Sequence, residues 1–266
     1  MDAGFEMSEA APAETRRCLD RFFAWGAAPT VEAYCALFAR DGTLLDADMD
    51  RPISGAAIRE SITRALQLLP DFRFAPQRVL ADGPHVFVLA ANQATLGGRH
   101  LAWDAVYALT LRGDRIGAGR RYYDQAALLT GADTFVLGEA PDGVVASRAA
   151  GNLASIDLAA RAAIWNRGDF AALSAALGPV RLHLAGLARP VESDRDVASA
   201  LAAFAARSDG LGVRPGAVVR AAGGIAIEWT GTIGRGSAAR RFALVELCTP
   251  LPERCEWRLL FNTMGL

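Results

Sequence analysis

Lysine is absent from this chain, and all 28 basic residues are arginine. That excludes Schiff-base chemistry on a lysine amine and a phosphate-cradling P-loop lysine. Histidine is scarce. His85, His100 and His183 pair at neither helical nor strand spacing, so a histidine metal site is not expected. The four cysteines, Cys18, Cys35, Cys248 and Cys255, form no Cys-x-x-Cys pair and read as buried structural thiols. Charge of one sign is lacking too. The formal net charge is −1 with a pI near 6.3, which argues against a nucleic-acid or anionic-membrane partner. No apolar run approaches the ~20 residues of a membrane span. The acidic stretch 1–11 has no apolar core of the signal-peptide kind, so a cytoplasmic protein is expected. Gly223-Gly224 and Gly234-Arg235-Gly236 read as strand turns, because no helix follows where a phosphate cradle needs one. No cofactor and no metal are expected.

What is present is a repeat. Arg21, Trp25, Leu37 and Leu44 return as Arg161, Trp165, Leu177 and Leu184 at an offset of 140. Arg51-Pro52 returns as Arg189-Pro190, Pro76 as Pro215, and Tyr123-Asp124 as Phe261-Asn262, at 138 or 139. So steady an offset means two copies of one fold in tandem. Hydrophobic residues make up 52% of the 266 positions, ample for two cores of ordinary domain size. The expected division is a first domain over 1–138, a linker over 139–150 and a second domain over 151–266.

Within the first copy, apolar spacing predicts helices from Pro12 to Trp25, from Thr30 to about Asp41-Gly42, and from an N-cap at Ser54 to Leu69. After Pro70 the period changes. Runs rich in β-branched and aromatic residues, separated by Asp-Gly, Gly-Gly and Arg-Gly-Asp turns, predict an antiparallel meander ending at Asp124. Helices are expected again at about 152–165, 169–177 and 193–206, with strands over 213–234, 239–249 and 255–263. The fold class is α+β: two tandem cone-shaped barrels, each with about three helices on a curved antiparallel sheet and a cavity between them.

Phe38-Ala39-Arg40-Asp41-Gly42-Thr43-Leu44-Leu45-Asp46, with Gly55 and Ala57-Ile58-Arg59-Glu60, resembles the bacterial ketosteroid isomerases. Arg115-Ile116 followed by Arg120-Arg121-Tyr122-Tyr123-Asp124 is similar to the last strand of SnoaL-like polyketide cyclases. Both families belong to the nuclear transport factor 2-like superfamily, and the resemblance covers about 12–130 and, more faintly, 152–266. It implies a small-molecule enzyme in which Asp46 is the general base of an isomerisation, dehydration or cyclisation on an apolar carbonyl compound. The other reading of Asp46 is a solvated loop acid in the run Asp46-Ala47-Asp48-Met49-Asp50.

The departures from the family pattern carry information. Phe22 stands where the isomerases place a donor tyrosine, and Tyr107 where they place a protonated acid. One donor in place of two costs ~2.7–4 kcal/mol of oxyanion stabilisation, so steroid isomerisation itself is not expected. The resemblance implies that Tyr107 points inward; strand parity then turns Trp103 and Ala105 inward and Asp104 outward, and by the same resemblance Arg121 and Tyr123 face inward and Tyr122 and Asp124 outward. Arg121 replaces the acid common at that place in the cyclases. It either pairs with Asp46 or receives a ligand's acceptor. Asn92, flanked by small Ala90 and Ala94, lines the cavity or sits on a twisted edge. Phe22, Trp103 and Tyr123 are the expected walls. Asp124 is read as a cap in preference to an acid.

The second copy keeps few of these groups. Gly186 and Leu259 stand where the first copy has Asp46 and Arg121, leaving Glu228, Glu246 and His183 as its polar candidates. It reads as a degenerate domain, and the two halves are expected to pack as an intramolecular pseudo-dimer, the other reading being two domains that merely touch; a small apolar ligand is expected in the pocket of the first. The alternatives are a non-catalytic ligand-binding module and an interaction scaffold using an exposed sheet.

Overall fold

Helix α1 (Ala13–Ala27) turns Cys18, Leu19, Phe22 and Trp25 inward at helical spacing. The Trp25 indole donates to Thr30 O, and the Thr30 hydroxyl accepts from Ala33 N to cap α2 (Val31–Leu37). The computed structural model describes residues 12–46, 51–126, 156–187, 189–221 and 223–263. The linker expected over 139–150 and the acids Asp48 and Asp50 lie outside the described residues.

Helix α2 stops earlier than its sequence pattern suggests. Phe38 is already extended and opens β1 (Phe38–Leu45), which lies parallel to β6 (Arg115–Tyr122). Asp41-Gly42 therefore marks an irregularity in a strand, not a helix end. Gly42 is required there because a Cβ would stand 2.7 Å from Ile116 O. Ser54 is likewise not a cap. It pairs with Thr43 in the short strand β2 (Ile53–Ser54), and Gly55 takes the N-cap place of α3 (Ala56–Leu68).

The first sheet is completed by β3 (Arg73–Asp82), β4 (His85–Leu96) and β5 (Arg99–Arg112), in the order β2-β1-β6-β5-β4-β3. Helices α4 (Leu158–Arg167), α5 (Phe170–Ala175) and α6 (Asp194–Arg207) follow, capped by Asp157, Asp169 and Ser193. With them go β7 (Val180–Leu184), β8 (Gly212–Ala221), β9 (Gly224–Ile233), β10 (Arg240–Pro250) and β11 (Cys255–Leu260), in the order β7-β11-β10-β9-β8. The α+β class holds and recurs in both halves. Each sheet is open and mixed, since β1 and β7 run parallel to the last strand of their own half.

Each half buries its own core between helices and sheet, one around Phe22, Trp25 and Phe74, the other around Trp165, Phe204 and Trp229. A third cluster joins them. Leu80, Phe87, Val106 and Tyr122 of the first sheet pack on Val219, Val245, Leu247 and Leu260 of the second. Parity explains this arrangement: side chains alternate faces along a strand, so one face serves the half's own core and the other meets the opposite sheet. An interaction scaffold would need that outer face, and the other half covers it.

Candidate ligand-binding site

The carboxyl end of β1 and the inward faces of β6, β5 and β4 place a row of polar groups across the concave sheet. Asp46 follows β1, Arg121 stands opposite Tyr107 in the β6–β5 register, and the Tyr107 hydroxyl donates to Asn92 Oδ1 at 3.2 Å. All four line a cavity of about 500 Å³. Trp103, Phe72 and Leu96 wall it from the sheet side, and Ile62, Leu66 and Leu69 from α3. Tyr123 and Gln125 line it beyond the end of β6.

Asp46 is buried, and Arg121 Nη2 donates to its Oδ2. Of the two roles left open for Arg121, this structure displays the ion pair. Burial alone would lower the arginine's pKa, but the charge of Asp46 outweighs it, and the guanidinium stays well above its ordinary value. The pair is not saturated. Arg121 Nε is buried and meets no acceptor among the described residues. An unmet buried donor costs roughly 1–3 kcal/mol, so a ligand acceptor that re-sited the guanidinium would have something to gain.

Burial lifts the Tyr107 phenol far above its ordinary pKa, so it remains a hydroxyl. Its single proton is directed to Asn92. What that pair offers a ligand is the amide N–H of Asn92 and the phenolic lone pairs, whereas the sequence pattern suggested Tyr107 itself as donor. Tyr34, packed on Trp25 at 4.5 Å, feels the charges of Arg121 and Asp46, and burial pushes its phenol up to about 12.

Three expected site residues fall elsewhere. Phe22 is no cavity wall, because α1 packs it behind Tyr107 and Phe74 at ring distances of 5.1 and 5.0 Å. Asp124 is no acid of the site. Its Oδ1 accepts from the Thr263 hydroxyl at 2.7 Å and from the amides of Thr263 and Ala126, which ties the end of the first half to the second. Glu246 is the buried centre of the second core. Its carboxylate accepts from Arg161 and from the indoles of Trp257, Trp229 and Trp165 at 2.8, 2.9 and 3.4 Å. Burial would raise its pKa, but these donors hold it below the usual carboxylate value. The remaining second-half candidates face the first half. Glu228 meets Tyr122 and Arg120, and His183 lies 3.0 Å from Glu256 in a network that reaches Asp104 through Arg258.

Sequence reasoning missed the α3 contribution to the mouth, Ser61, Arg64 and Leu68. Its signal was available: Arg64 and Leu68 lie one turn apart beside the apolar stripe, and Leu68 is 62% exposed.

The first half is thus an α+β domain, a mixed sheet with helices packed on one face and a polar-floored apolar pocket between them. Residues 19–118 match the family model of the SnoaL-like domain. No curated protein matches the chain. Among solved structures it is similar to a ketosteroid isomerase-like-fold protein of Catenulispora acidiphila in complex with trimethylamine, at 22% identity and TM-score 0.40, covering 44% of this chain and 92% of that one. It is similar to TerC co-crystallised with polyporic acid at 18% identity and TM-score 0.41, covering 44% and 97%. A nuclear transport factor 2-like protein of unknown function from Burkholderia pseudomallei is 15% identical, with TM-score 0.41 and coverages of 45% and 97%.

Proposed function

We propose that the first half, taken as 1–138, binds one small, largely apolar molecule bearing a carbonyl or similar acceptor. The second half, taken as 151–266, packs on it as the other member of an intramolecular pseudo-dimer. The observation that carries this reading is the polar row Asp46, Arg121, Tyr107 and Asn92 lining an otherwise apolar cavity of about 500 Å³. Apolar walls supply the driving force, and the Asn92 amide and the Arg121 guanidinium fix orientation.

Of the five tryptophans, Trp103 lines this cavity, so its emission reports on the occupant. A panel of bicyclic and tricyclic aromatic ketones is expected to quench it saturably, and Trp103→Phe to remove the signal. Asn92→Leu and Arg121→Met should each weaken binding by roughly tenfold, the value of one good hydrogen bond to a ligand. Quenching indifferent to both substitutions would defeat the assignment.

Proton transfer by Asp46 is a second reading, favoured by the burial of that carboxylate among apolar walls. The guanidinium on Oδ2 sets its condition: a ligand acceptor must first draw Arg121 away. On this reading Asp46→Asn abolishes turnover and leaves binding in place. If the variant turns over a bound ketone as fast as the parent, Asp46 is not the base.

A further inference from the structure

Strand β6 and the two residues after it alternate between two duties. Arg121 and Tyr123 line the cavity. The residues between and beside them, Arg120, Tyr122 and Asp124, each bond to the second half. Arg120 Nη1 lies 2.9 Å from Glu228 Oε2, the Tyr122 hydroxyl donates to Glu228 Oε1, and Asp124 Oδ1 accepts from the hydroxyl and amide of Thr263. Five successive residues thus face pocket and partner half in strict turn.

We propose that the second half is a positioning element for the ligand pocket, and that Glu228 and Thr263 are its positioning residues. They hold β6 so that Arg121 and Tyr123 face the cavity. A one-residue slip of that strand would exchange the two sets of side chains, putting Tyr122 into the pocket and Arg121 against the second sheet. The cross-half bonds oppose that slip directly. Glu228 is well placed to do so because it is itself held. It is buried, Ala217 N donates to its Oε2 at 3.4 Å, and Gly216 beside it leaves no room for a side chain, a Cβ there meeting Oε2 at 2.7 Å. That amide lies within the β8 register shift between Pro215 and Val218. A copy that has lost the counterparts of Asp46 and Arg121 thereby keeps a role, which is to set the floor of its neighbour's pocket.

This inference rests on the ligand-binding reading for its affinity readout but not for its spectroscopic one. The probe is the anionic aromatic dye anilinonaphthalene sulfonate, whose fluorescence rises on entering an apolar site. Glu228→Leu removes the acceptor for both Tyr122 and Arg120, whereas Glu228→Gln keeps one for the phenol. Loss of dye affinity by roughly fivefold is expected in Glu228→Leu, the scale of coupling through a packed network, with most of it restored in Glu228→Gln. Thr263→Val should weaken the dye in the same direction, and it serves if Glu228→Leu does not fold. The control is Arg78→Met, which cuts the bond from Arg78 Nη1 to Gly223 O between the halves without touching β6, and it should leave affinity unchanged. In parallel, the Nε–H resonance of Arg121, assigned by its loss in Arg121→Met, should shift in Glu228→Leu and Thr263→Val but not in Arg78→Met. An Arg121 resonance that stays in place in both variants overturns the proposal, as does an equal response in Arg78→Met. Failure of the parent protein to bind the dye counts against the ligand-binding reading alone, and the resonance then decides the matter.

Discussion

At the scale of single residues, the two halves use the same position in opposite ways. Tyr107 and Glu246 are equivalent by the repeat offset, and both point into their own core. Tyr107 leaves space beside it and faces a cavity. Glu246 gathers three indoles and a guanidinium around itself and is fully buried. Breaking such a pair by removing one partner leaves a buried charge uncompensated, typically a loss of about 3–5 kcal/mol. Glu246→Leu is therefore expected to cost on that order in a urea unfolding measurement. Replacing both members of a buried pair by apolar residues is often close to neutral. Here it should not be, because the double variant Arg161→Met with Glu246→Leu still strands the indole N–H groups of Trp165, Trp229 and Trp257, at about 1–3 kcal/mol for each one left dry. Full recovery in the double variant would show that the indoles contribute little.

At the scale of elements, α1 and β3 form the back of the pocket. Gly26 on α1 faces Phe74 so closely that a Cβ would stand 2.5 Å from the ring, and Phe74 in turn packs on Tyr107 at 5.2 Å. Gly26→Ala should push that ring toward Tyr107, destabilise by about 1–3 kcal/mol as overpacking does, and disturb the Tyr107–Asn92 bond. Thermal unfolding checks the first effect, and the Asn92 side-chain amide resonance the second. Most elements of this kind were legible in the sequence, because the apolar period changes from helical to alternating at Pro70 and Thr30, Asp169 and Ser193 are strong caps. The family resemblance sets Tyr107 and Arg121 inward, and parity extends that to Trp103 and turns Asp104 and Tyr122 away, whereas Asn92 stays open between the cavity and a strand edge. What was not legible came from contacts between distant strands. The parallel pairing of β1 with β6 cut α2 short at Leu37, and it cannot be seen in a local window. The β2 pairing took Ser54 away from its helix for the same reason. Phe22 failed as a wall because family position says which residue corresponds, not how far α1 sinks behind Phe74.

At the scale of the whole molecule, the junction between the halves carries its own titration. Arg258 Nη1 meets Asp104 Oδ2 at 2.6 Å and Nη2 meets Glu256 Oε1 at 2.9 Å, with His183 at 3.0 Å from the same oxygen and Arg78 close enough to feel both charges. Burial would raise Glu256, but His183 and Arg258 outweigh it and bring the carboxyl down to about 2. Burial lowers His183 below its ordinary 6.5 against the opposing pull of Glu256. Both groups bind fewer protons in the folded chain than in the unfolded one, so both contribute stability that acid removes. The contribution of His183 begins to fall as pH drops below about 6.5, the unfolded value. That of Glu256 is intact above about 4.5 and is lost progressively toward about 2, a full effect on the order of 3 kcal/mol. Asp104 opposes them: burial raises its pKa despite Arg258, so its protonation as the pH falls favours the folded chain. Urea unfolding followed at about pH 7, 5.5, 4 and 2.5 should show stability falling in two stages. His183→Gln should flatten the first and shrink the second, since His183 helps hold Glu256 down, and Glu256→Gln should remove the second. A stability that holds level from pH 7 to pH 4 in the parent chain would mean that these buried charges are met by water, and that the halves are joined by their apolar cluster alone.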